Sequence, residues 1–143
     1  MTAELNEKFP IFLGSEIDQA DPKQAMFHVL PVPYEKSVSY GGGTAKGPST
    51  ILNASWQLEK WDGKSNPCDL GIYPCPPVDC SVNSQQVIDN IAKATAEIIR
   101  NGGIPVVLGG EHTVTYGVIK GLKDAGIEDF GIVQIDAHAD LRH

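Results

Sequence analysis

Residues 104–140 read IPVVLGGEHTVTYGVIKGLKDAGIEDFGIVQIDAHAD, and this stretch decides the fold. Ile104 to Leu108 is a short, unbroken apolar run, the pattern of a strand buried on both faces. Gly109 and Gly110 end it, and a helix is predicted from about Thr113 to Lys123. A second apolar run, Phe130 to Ile135, predicts another buried strand. Strand, helix and strand of these lengths make a βαβ unit, whose right-handed crossover sets the two strands parallel and side by side. The expected class is α/β, a mainly parallel sheet covered by helices on both faces.

Working outward, Val87, Ile88, Ile91, Thr95, Ile98 and Ile99 recur at helical spacing between polar caps at Asn83 and a stop at Gly102-Gly103. Further upstream, MFHVLPV at residues 26–32 reads as a buried strand ending at its prolines. The loop Tyr40-Gly41-Gly42-Gly43-Thr44 follows, and Gly47-Pro48 opens a helix predicted from Ser49 to Leu58. Between Trp61 and Cys80 the density of proline, glycine and asparagine predicts irregular connection, with a short strand at Leu70 to Tyr73. Residues 1–25 read as a loosely structured lead-in, leaving 26–143 as the domain. Trp56 and Trp61 read as packing residues.

The chain has 143 residues, 11 basic against 18 acidic, for a net charge of −7 with neutral histidines. That balance argues against a nucleic-acid partner and suits a small cationic one. With no basic start ahead of a long apolar run, and no window of the roughly 18 apolar residues that span a bilayer, no membrane role is expected and the protein reads as cytoplasmic. Cys68, Cys75 and Cys80 are odd in number and do not form paired CxxC motifs, so they read as reduced, partly buried thiols.

Ligands in open α/β sheets bind beyond the carboxyl ends of the strands, and two polar clusters fall there. His112 follows the strand ending at Leu108, while Asp136, His138 and Asp140 follow the one ending at Ile135. In extended backbone these last three would share one side and the two alanines between them the other. A lone histidine after two glycines is most simply a capping or loop residue. Two carboxylates and a histidine packed beside an apolar strand, however, would repel and desolvate one another without a cation. Oxygen and imidazole donors without thiolate suit a borderline divalent ion such as manganese, iron, cobalt or zinc, with oxygen-rich ligation leaning toward manganese.

Gly109-Gly110-Glu111-His112 and Asp136-Ala137-His138-Ala139-Asp140 resemble the GGxH and DAHxD motifs of the ureohydrolases, the arginases and agmatinases. Pro33-Tyr34-Glu35, Ser39 to Thr44, Gly47-Pro48 and Asn53-Ala54-Ser55 resemble the agmatinase version of the N-terminal region, although Glu35 stands where many agmatinases have aspartate. The resemblance implies the N-terminal portion of an arginase-like three-layer fold and a centre of two Mn2+ ions. His112, Asp136 and Asp140 would hold one ion, and Asp136 with His138 the other. It gives the catalytic roles to Asp140 and His138, Asp140 passing a proton to the leaving amine, and the reaction as hydrolysis of agmatine to putrescine and urea. Arginine and guanidinobutyrate are the rival guanidino substrates, and a metal-binding or assembly fragment without activity is the non-enzymatic alternative. The family pattern continues to an SxDxD-like motif with two more ligating aspartates that residues 1–143 lack, so the chain reads as an N-terminal half. The resemblance also implies a homo-oligomer, a trimer or hexamer.

Overall fold

The computed structural model describes residues 9–139. Its sheet comprises three parallel strands, β1 (Phe27–Val32), β2 (Ile72–Pro74) and β3 (Ile104–Gly109), in the order β2-β1-β3. Phe27 lies opposite Ile72 on one side and Ile104 on the other, and the longer pairing runs on to Val32 opposite Gly109. β1 is thus central and needs apolar residues on both faces. Val29 and Leu30, which fall on opposite faces, are 4% and 2% exposed.

Three helices supply the covering layers: α1 (Gly47–Ala54), α2 (Ser84–Arg100) and α3 (Thr113–Asp124). Alternation along β1 sends Val29 toward Leu52 of α1 and Ile72 of β2. Leu30 and Val32 instead join Val87 and Ile91 of α2 and Val114 of α3. The result is the expected three-layer arrangement. Pro48 sits in the first turn of α1, where a missing N–H costs nothing, and the helix passes into a 3-10 turn at Ser55–Gln57. The Asn83 side chain caps α2 by accepting the Gln86 N–H at 2.9 Å. α2 and α3 lie close because Gly117 and Gly121 face Ile91 and Thr95, where an added Cβ would stand only 2.8 Å and 2.6 Å from the opposing Cβ atoms.

Three expectations are corrected. Phe130 to Ile135 forms no strand: Ile132, Val133 and Ile135 are 64%, 89% and 98% exposed, and β3 is an edge strand with Ile104 and Val106 partly open. An apolar run becomes a strand only through hydrogen bonds to a neighbour, and among the described residues this run and the outer edge of β3 make none to each other. The lead-in is also tighter than its composition suggests. From residue 9 onward, Phe9, Phe12 and Ile17 pack against the Val29–Leu52–Ile72 cluster. Leu13, 5% exposed, donates its N–H to Ser55 Oγ at 2.9 Å. Trp56 is a staple here, its indole N–H reaching the Ile11 carbonyl at 2.8 Å, but it and Trp61 are about half exposed, contrary to a core role.

Cys68, Cys75 and Cys80 are free, partly buried thiols, as read from the sequence. Burial, followed by the charge of Glu97, pushes the Cys75 thiol up to about 11. Among the described residues no helix is long and apolar enough to cross a membrane.

Candidate metal centre

The carboxyl end of β3 is locked to β1 beyond the last strand pair. Gly110 donates its N–H to the Val32 carbonyl and Glu111 to the Tyr34 carbonyl, both at 3.1 Å. The approach is so close that a Cβ on Gly110 would stand 2.0 Å from the Tyr34 oxygen, which explains the glycine. His112 comes next, at the start of α3, and its side chain makes no capping bond to the helix. The simple capping reading of this histidine therefore fails. Its ring is 78% exposed and lines a cavity of about 300 Å3 with Val107, Gly109 and Thr115.

Asp136 sits between two imidazoles. Its Oδ2 lies 3.7 Å from His112 Nε2, and its Oδ1 lies 3.8 Å from His138 Nδ1. The chain does not continue extended as expected but bends at Ala137 and His138, with Asp136 Oδ1 accepting the His138 N–H at 2.8 Å. The bend, rather than side-chain alternation, brings His138 back toward the carboxylate. That backbone bond, and then the positive charge available on His112 and His138, hold the Asp136 carboxyl below the usual range. Gln134 Nε2 donates to the His138 carbonyl at 3.1 Å and steadies the bend.

His112, Asp136 and His138 are thus assembled from two chain segments, whereas Asp140 lies outside the described residues. Among the described residues no three His, Cys, Asp or Glu side chains close into a metal-holding group. The pairs nevertheless suit a shared ion: metal bonds to imidazole nitrogen and carboxylate oxygen are about 2.0–2.2 Å for zinc, so donors under about 4 Å apart can reach one ion. Each Asp136 oxygen faces a different imidazole. A larger cavity of about 740 Å3 opens beside α2, around His28, Tyr73, Cys75 and Glu97, but none of His112, Asp136 and His138 lines it.

The sequence motifs mark Glu111 only as a spacer and Glu35 only as a departure, yet both are fully engaged. Glu111 Oε2 accepts the N–H groups of Lys36 at 3.0 Å and Ser37 at 2.9 Å, and Oε1 accepts the Ser37 hydroxyl. Glu35 accepts the N–H groups of Gly43 at 2.8 Å and Ala45 at 2.7 Å and the Thr44 hydroxyl at 2.9 Å. The available signal was a carboxylate beside a glycine-rich loop, whose exposed N–H groups need acceptors.

A parallel sheet wrapped by helices, with acid and imidazole side chains gathered beyond a strand's carboxyl end, defines an α/β protein with a candidate ligand site at the carboxyl edge of its sheet. The arginase family pattern matches residues 25–143, and the chain belongs to that family. It is 38% identical over 122 residues to an N(1)-aminopropylagmatine ureohydrolase of Synechocystis sp., covering 80% of this chain and 40% of that protein. An agmatinase of Bacillus subtilis is 33% identical over 141 residues, covering 92% of this chain and 45% of that protein. The solved agmatine ureohydrolase of Thermoplasma volcanium superposes with a TM-score of 0.68 at 25% identity, covering 84% of this chain and 41% of that one. The chain therefore spans less than half the length of these relatives.

Proposed function

We propose that the protein hydrolyses the guanidino group of a small cationic substrate, agmatine first, to urea and an amine, at a two-manganese centre built on His112, Asp136, His138 and Asp140. The supporting observation is Asp136 between His112 and His138, one oxygen toward each ring. His112 and Asp136 would hold one ion with Asp140, and Asp136 with His138 the other; further ligands would come from the part of the domain that the relatives have and these residues do not span. When bound, such ions supply Lewis acidity that yields a nucleophile from water at neutral pH. Asp136, whose carboxyl is held ionised by the His138 N–H, keeps its negative charge available for ligation. Asp140 would carry a proton to the leaving amine, and the bend, closed by the His138 N–H on Asp136, would keep the His138 ring beside that carboxylate. The net charge of −7 favours encounter with a cationic guanidino compound.

The higher identity to the aminopropylagmatine enzyme supports a second substrate, N(1)-aminopropylagmatine, which shares the guanidino end and differs in its tail. Urea release by the protein of the complete reading frame with manganese, compared among agmatine, N(1)-aminopropylagmatine, arginine and guanidinobutyrate, tests the assignment. Agmatine or its aminopropyl derivative is expected to turn over best, and His138→Ala to abolish release. Turnover of arginine equal to or above agmatine would reject the agmatine reading, and no release from any of the four would reject the hydrolase. The 143 residues alone are expected to bind manganese weakly and release no urea.

A further inference from the structure

Both chain neighbours of His112 hold the same residue. Glu111 takes the Ser37 N–H and hydroxyl, and the Thr113 hydroxyl lies 3.4 Å from that of Ser37. Glu111 also takes the Lys36 N–H, while Lys36 Nζ donates to the Val82 carbonyl. The start of the loop is thereby fixed directly against the turn that bears the candidate ligand. Its far side is closed by Glu35, which gathers the N–H groups of Gly43 and Ala45 and the Thr44 hydroxyl. Gly47, just past the loop, comes back onto β3, where an added Cβ would stand 3.3 Å from the Gly109 carbonyl. A loop that carries three glycines in a row, two of them at positive φ (Gly41 at 65° and Gly43 at 128°), has little intrinsic preference for one shape. Two carboxylates accepting four backbone N–H groups supply it.

We propose that Glu111 is a positioning residue that ties loop 36–45 to the His112 turn, as a preformed rim where the tail of the guanidino substrate enters; this rests on the function proposed above. The reacting carbon would be handled by the residues around Asp136. The rim would contact the part of the substrate that distinguishes one guanidino compound from another. Glu111 therefore acts through the loop and not on the reacting atoms, and its loss weakens substrate capture more than turnover.

Glu111→Gln keeps the side chain's size while removing its charge and setting an NH2 group against N–H donors. In the full-length protein, hydrogen exchange at the Lys36 and Ser37 amides should lose protection by about tenfold or more, the scale of a charge-assisted hydrogen bond. KM for the best guanidino substrate should rise about tenfold with kcat held within about threefold, because the lost contacts order a binding edge. Ser37→Ala, which spares both backbone bonds, should show a smaller KM effect in the same direction. Unchanged protection at residues 36 and 37 overturns the clamp, and an unchanged KM with a lowered kcat overturns its role in substrate capture. A general loss of fold, read as a fall in Tm with loss of exchange protection across β1, also overturns the proposal by making Glu111 merely structural. Should no form of the protein release urea, the hydrolase reading fails by itself, and the exchange result alone then sustains or sinks the clamp.

Discussion

Glu35 is the residue whose chemistry is easiest to read by titration. Its side chain is half-buried and accepts the Ala45 N–H first, then the Thr44 hydroxyl and the Gly43 N–H, and these bonds hold its pKa below the ordinary glutamate range. A carboxyl depressed in the folded state contributes order above its unfolded pKa and loses that contribution as pH falls through the folded value. Protection of the Gly43 and Ala45 amides, corrected for intrinsic exchange, should be constant at neutral and mildly acidic pH and decline only below the ordinary glutamate range. Glu35→Gln should remove the decline and show low protection throughout. A decline centred near neutrality would assign the loop's order to another group. Nothing in the residue type announced this role, since a glutamate in a polar loop is ordinarily solvated.

Elements separate into those fixed by local pattern and those fixed by partners. The spacing of Val87, Ile91, Thr95 and Ile98 is sufficient to specify α2, because a 3.6-residue stripe is a property of the segment itself. β1 and β3 were legible for a related reason: apolar runs of strand length that did find neighbours. The same signal at Phe130 to Ile135 misled, since pairing is decided elsewhere in the fold, and the packed segment from Phe9 was missed because it has no periodicity, turning at Leu13 with φ 54°. His112 and the Asp136–His138 pair were legible as residues, whereas the bend that joins the latter was not. Helix packing supplies a further test. Gly121→Ala would gain up to about 1 kcal/mol in helix propensity. The new Cβ would, however, stand 2.7 Å from the Ala92 carbonyl oxygen and 2.6 Å from Thr95 Cβ. A backbone carbonyl cannot step aside, so overpacking of about 1–3 kcal/mol should win. Tm is expected to fall by about 5 °C, with Gly131→Ala, whose surroundings are open, unchanged as control. Equal melting of both variants would disprove close α2–α3 contact.

At the scale of the molecule, the outer edge of β3 has no strand partner among the described residues, and the nearby run in sequence exposes Ile132, Val133 and Ile135. An open parallel edge with uncovered apolar side chains invites association. The 143-residue chain should therefore sediment as species larger than monomer at micromolar concentration, and Val133→Glu should shift it toward monomer. A monomer at all concentrations would show that the net charge of −7 prevails over apolar contact.

His112 lies three residues past the last β1–β3 pair, Val32 with Gly109, and is tethered there by the Gly110 and Glu111 N–H groups. A slip of one residue in that pairing would carry the histidine about 3.3 Å along the strand and turn neighbouring side chains to the opposite face. Asp136 arrives from another segment and would not follow. If the divalent ion proposed above is held between them, it would recognise only the native alignment, acting as a proofreader of strand register, so that misaligned chains would be distinguished by their failure to retain metal.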